Sequence, residues 1–151
     1  MDVLIKLLEE SSNLYKNFLE LEYKKYDTVI KNDIETLDDI VSKEQAYYLK
    51  IRGIEQKREK LLDSMGYKNM TLKEVIEAAD DKKAAMLKEK YEEFAKIIAE
   101  VKKISDLCKT IIKVRMHRID RAIKQLGEKE NTYTVQESKN KTKSLLLSKK
   151  I

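Results

Sequence analysis

The chain has 151 residues, enough for one domain, and carries 32 Lys and Arg against 27 Asp and Glu, a formal net charge of +5. It has no proline, three glycines and one cysteine, and is 39% charged and 42% hydrophobic. A chain so poor in helix breakers reads as all-α, with long helices, and one cysteine excludes an internal disulfide. No apolar run approaches the roughly 18 residues needed to span a bilayer. The start "MDVLIKLLEE" has an acid at position 2 and a lysine within its apolar run, unlike a secretory signal. The expected location is cytoplasmic.

The first predicted helix covers about residues 2–31. Leu4, Leu7, Leu8, Leu14, Phe18, Leu21 and Val29 recur mostly at three- and four-residue steps, which places them along one stripe. Ser11 and Lys25 interrupt that stripe. "KNDIETL" marks a boundary, with Asn32 or Asp33 as N-cap of a second helix; with Asn32 as the cap, Glu35 completes a capping box. The second helix runs to Met65, with Ile34, Leu37, Val41, Tyr48, Ile51, Ile54, Leu61, Leu62 and Met65 along one side and Gly66 as the left-handed residue beyond its end. Gly53, inside it, marks either an open surface or a close neighbour. Glu55 and Arg58 form a pair near the apolar side, either a partly exposed ion pair or a polar layer that sets register.

"TLKE" at 71–74 is a capping box that starts a short helix with Leu72, Val75, Ile76 and Ala79 as its apolar face. A last helix starts at Asp80 or Asp81. Leu87, Tyr91, Phe94, Ile98, Val101, Cys108, Ile112, Ile119, Ala122 and Leu126 keep step along it, and Gly127 is expected to end it. Such a rod is roughly 65 Å long, longer than its two partners, so part of it overhangs or bends. The expected domains are a helical bundle over 1–127 and a flexible basic tail over 128–151. Residues 109–151 hold twelve Lys and Arg against four acids, which leaves residues 1–108 mildly acidic.

Chemistry is hard to find. Cys108 and His117 lie on one helix about 13 Å apart along its axis, too far to act as a nucleophile pair. Cys108 falls on the apolar stripe and His117 among basic neighbours. One Cys and one His do not make a conventional zinc site, and there is no Glu-x-x-His pair and no glycine-rich phosphate loop. The chain reads as non-enzymatic, with no cofactor and no metal. Arg115, Arg118, Arg121 and Lys124, at three-residue steps, suggest a basic stripe that is either a solvated face or a nucleic-acid surface. Between residues 104 and 126 the apolar positions exceed one stripe, which means two neighbouring helices or one missing neighbour.

The order of these features resembles the FlgN family of flagellar export chaperones over roughly residues 1–135. The resemblance is carried by "LLEESSNLYKNFLELEYKK", by Leu37, Glu44, Glu55 and Arg58 in the second helix, by "MTLKEVIEAA", and by a long helix followed by Tyr133. It implies an antiparallel bundle or coiled coil of three long helices plus one short helix. It also implies a type III flagellar export chaperone that binds C-terminal helices of the hook–filament junction subunits FlgK and FlgL without ATP. The client contact would map onto Leu107, Ile111, Val114, Ile119, Ile123 and Leu126, and docking to the export gate onto Tyr133, with a homodimer as a further possibility. The competing readings are a coiled-coil protein associated with nucleic acid and a self-associating structural coiled coil.

Overall fold

A computed structural model describes the backbone of residues 1–148 and the side chains of 1–80 and 82–133. Four helices make up its regular structure: α1 (Asp2–Lys31), α2 (Ile34–Ser64), α3 (Leu72–Ala78) and α4 (Asp81–Ser148), with no strand among the described residues. Residues 1–109 and residues 110–151 form two separate units, with α4 contributing to both.

The turns follow local chemistry. Asn32 ends α1 in the left-handed conformation at φ 56°, which asparagine tolerates better than most residues. Asp33, rather than Asn32, caps α2: its Oδ1 accepts from the Thr36 backbone N–H at 3.1 Å. The alternative box with Glu35 therefore does not form. At the other end of α2, Gly66 has φ 84°, the Gly66 N–H donates to the Asp63 carbonyl (3.1 Å) and the Tyr67 N–H to the Leu62 carbonyl (2.9 Å). These two bonds are a Schellman closure, and Tyr67 packs on the same cluster as Leu62. The "TLKE" box closes in both directions: Thr71 Oγ1 accepts from the Glu74 N–H at 3.3 Å, and Glu74 Oε2 accepts from the Thr71 N–H at 2.6 Å. A side chain added at Gly53 would meet open space, so this glycine marks no close approach.

Within residues 1–109 the helix directions can be read from paired contacts. Asp2 meets Lys83 (3.7 Å), Glu9 meets Lys90 (3.5 Å), the Tyr15 ring stands edge-on to Phe94 (5.2 Å), and the Tyr23 hydroxyl donates to Glu100 (3.1 Å). Both numbers rise together, so α1 and the first part of α4 run the same way. Phe18 against Tyr47 and Lys25 against Glu44 show α2 running opposite to α1. One apolar cluster joins Leu4, Leu8, Leu62, Val75, Leu87 and Phe94, so the short α3 closes one end of the core. A second, smaller cluster joins Phe18, Leu21 and Ile40.

The inward stripe of α1 is Leu4, Leu8, Ser11, Tyr15, Phe18, Glu22, Lys25 and Val29, a 4-3 repeat of the coiled-coil type. Ser11 is not a weak point: it is buried and donates to the Leu7 carbonyl at 2.8 Å. The stripe of α2 differs from the sequence expectation. It follows Leu37, Ile40, Glu44, Tyr47, Ile51, Ile54, Arg58, Leu61 and Met65, whereas Ile34, Val41 and Tyr48 are exposed. On α4, Ile97 and the buried Ile104 lie inward of the exposed Ile98.

Gly127 does not end α4. The helix passes through it and through Tyr133 to Ser148. A glycine stops a helix efficiently when it takes a positive φ, and among the glycines only Gly66 does so. Inside a helix it costs about 1 kcal/mol, and the following Glu128, Lys129 and Glu130 are good helix formers with no proline after them. The segment expected as a separate tail from residue 128 is thus helical as far as Ser148, and residues 149–151 lie outside the described ones.

Candidate functional site

Two places concentrate unusual residues. The first is inside the unit of residues 1–109. Glu22 on α1 is 0% exposed, and neither of its carboxyl oxygens accepts a hydrogen bond. Glu44 on α2, also buried, is held by Lys25 at 2.7 Å. Two carboxyl groups thus share one partly buried cation. Burial first, then the hydrogen bond and charge of Glu44, push the Glu22 carboxyl up to about 8, against the opposing pull of Lys25 and Lys109. Near neutral pH Glu22 therefore holds a proton, which it donates to Glu44. Burial alone would push Lys25 down; the hydrogen bond and charge of Glu44 and the charge of Glu22 outweigh it and hold the ammonium above its ordinary value. Cys108 of α4 packs beside this group and is 1% exposed, and burial followed by the charge of Glu22 raises its thiol. It is a core residue, as its place on the apolar stripe suggests.

On the same unit, a groove of about 950 Å³ is lined by Tyr15, Arg58, Tyr67, Met70, Tyr91 and Phe94. Arg58 and Glu55 pair across its edge at 2.7 Å, both half-buried, the geometry of a partly exposed ion pair. Such a pair is worth under about 1 kcal/mol. Among the described residues no group of three His, Cys, Asp or Glu side chains could hold a metal ion, and no helix is long and apolar enough to cross a membrane.

The second place is the unit from residue 110 onward. Ile112, Met116, Ile119, Ile123 and Leu126 succeed one another at steps of four, three, four and three, and Tyr133 falls in the same register after Glu130. On one helix this spacing is a straight seam that fits a partner helix. Ile112 is half-buried. The others stand open: Met116 59%, Ile119 58%, Ile123 62%, Leu126 63% and Tyr133 68% exposed.

The six positions expected to hold a client do not share this seam. Ile119, Ile123 and Leu126 lie on it. At 100° per residue Val114 is about 140° away from Ile119, and Ile111 continues the Cys108 register that faces the core in the first unit. Leu107, in the first unit, is exposed and stands on the side that Val114 continues. Met116 is absent from the expected set, although a count of 4-3 steps from Ile112 finds it between two basic neighbours. The basic residues also rearrange. Three-residue steps slip by about 60° each on an α-helix, so the four form no flat stripe: Arg115 lies at the edge of the seam, and Arg118, Arg121 and Lys124 wrap around the side away from it. His117 is exposed among them.

A family model described as FlgN protein matches residues 1–141, which includes the whole exposed seam and Tyr133. No curated protein and no solved structure matches the chain. The chain belongs to the FlgN family, a family of flagellar export chaperones.

Proposed function

We propose that the chain is a cytoplasmic type III export chaperone for the hook–filament junction subunits FlgK and FlgL, and that it holds a C-terminal client helix along the seam Ile112–Leu126. The observation that carries this reading is the exposed 4-3 apolar repeat in a family of export chaperones. Amphipathic helices are recognised by apolar anchors at three- and four-residue steps, and a seam left open to water is the half of such a pair that one chain supplies. Client capture covers apolar surface on both helices and removes the client stripe that would otherwise drive aggregation. Binding needs no nucleotide, because the free energy comes from burial.

In this reading Ile119, Ile123 and Leu126 are anchors, joined by Ile112 and Met116. Leu107, Ile111 and Val114 lie outside the contact. Tyr133, one turn beyond the polar Glu130, presents the loaded chaperone to the export gate.

The test is co-purification of the full chain with C-terminal segments of the junction proteins. The double variant Ile119→Asp/Ile123→Asp should weaken capture on the order of 100-fold or more, because central apolar anchors dominate such contacts. Its far-UV helical signal should remain, since both side chains are exposed. A variant that binds clients as well as the parent chain rules out the seam.

A further inference from the structure

The seam does not stand on a neutral helix. Residues 110–127 carry five Lys and Arg (Lys113, Arg115, Arg118, Arg121 and Lys124) against one acid, Asp120. Lys113, Arg118, Arg121 and Lys124 are all exposed. Lys113 and Arg115 border the seam on its two sides; Asp120 follows Lys113 on the first border, and Lys129 extends the second. The remaining cations sit on the back of a rod only about 10–12 Å across. That is comparable to the screening length of roughly 8 Å at physiological salt, so they add to the potential that an occupant of the seam meets. Residues 1–108, by contrast, are net acidic.

We infer that the seam selects a helix with acidic residues flanking its apolar stripe, and that the basic residues of α4 between Lys113 and Lys129 set this choice. The inference rests on the docking reading above and adds the charge of the partner to it. Flanking positions decide which helices pair, because like charges there oppose association and unlike charges steer it. A second copy of this chain is the poorer occupant, since it would set one strongly basic helix against another. An anionic lipid surface is also poorer. A helix lying in a lipid interface buries a broad apolar arc, whereas this seam is one narrow line with Lys113 and Arg115 at its edges.

The experiment uses the full chain and three synthetic helices that share one Leu/Ile heptad seam and carry Glu, Gln or Lys at the flanking positions. Binding is read by fluorescence anisotropy at low and at high salt. The Glu helix should bind about tenfold tighter than the Lys helix at low salt, as three or four weak ion pairs would give. The Gln helix should fall between them, and the gap should narrow at high salt. The triple variant Lys113→Glu/Arg118→Glu/Lys124→Glu should invert the order. Equal binding of all three helices overturns the charge selection and leaves the docking reading standing. Binding of none overturns both. Uptake of the chain by phosphatidylglycerol vesicles that the Glu helix fails to displace assigns the surface to lipid and overturns the inference.

Discussion

Glu22 is the residue most at odds with its surroundings. It occupies an inward position of α1 between Phe18 and Lys25, with no exposed surface and no donor for its oxygens. Its proton therefore belongs to the fold. In the unfolded chain the same carboxyl titrates near 4.5, and in the folded chain near 8. The folded state binds the extra proton between these values, so this group makes stability fall as pH rises from about 4.5 to about 8 and levels off above. Glu22→Gln keeps the shape and a donor toward Glu44 without the charge. It should flatten the decline of Tm across that window and raise Tm at pH 9 by several degrees, on the order of 5 °C. A decline unchanged in the variant would place the titration elsewhere. Cys108 offers a second probe: with a buried, raised thiol it should react with a thiol reagent only as fast as the first unit opens. Immediate labelling of the native chain would contradict the packing of α4 at that point.

At the scale of elements, the sequence is informative where apolar residues alone define the stripe. Leu4, Leu8, Phe18, Leu21 and Val29 are buried on α1 as their spacing predicts, and the α2 closure at Gly66 and the box at Thr71 form as their residues indicate. The register of α2 is harder to see. Glu44 and Arg58 occupy inward positions, while Ile34 and Val41 are exposed and Tyr48 reaches Phe18 only with part of its ring, so apolarity alone misplaces the stripe in the first half of the helix. Arg58 finds its partner, Glu55, one turn away on the same helix, but the partners of Glu44, Lys25 and Glu22 on α1, become visible only when the two helices are side by side. The end of α4 differs from expectation for another reason. A glycine after an apolar stripe suggests a stop, yet Gly127 keeps helical geometry, with open space where a side chain would be. Gly127→Ala should therefore raise the helicity of residues around 124–133, measured by backbone chemical shifts, with a local gain of about 1 kcal/mol. A terminating glycine with positive φ would give the opposite sign.

At the scale of the molecule, the chain joins a well-buried unit over residues 1–109 to a second unit whose described side chains are exposed or half-buried. The candidate site is half legible in the sequence. The excess of apolar residues between 104 and 126 points to an unpartnered surface, but it merges two registers that a strict 4-3 count separates: Cys108–Ile111 and Ile112–Met116–Ile119–Ile123–Leu126. The division of labour proposed along this second unit makes a further prediction. Tyr133→Ala should leave client capture within about twofold of the parent, since polar Glu130 separates it from the anchors, and should reduce export of FlgK and FlgL in cells. Equal loss of both would merge Tyr133 into the client contact.

Docking of a client helix along the seam is tested by a photo-crosslinking scan, one position at a time from residue 110 to residue 130, with the C-terminal segment of FlgK or FlgL bound. Crosslinks should peak at 112, 116, 119, 123 and 126 and vanish at 118, 121 and 124. Crosslinks spread evenly around the helix, or peaking on its basic side, would contradict that docking.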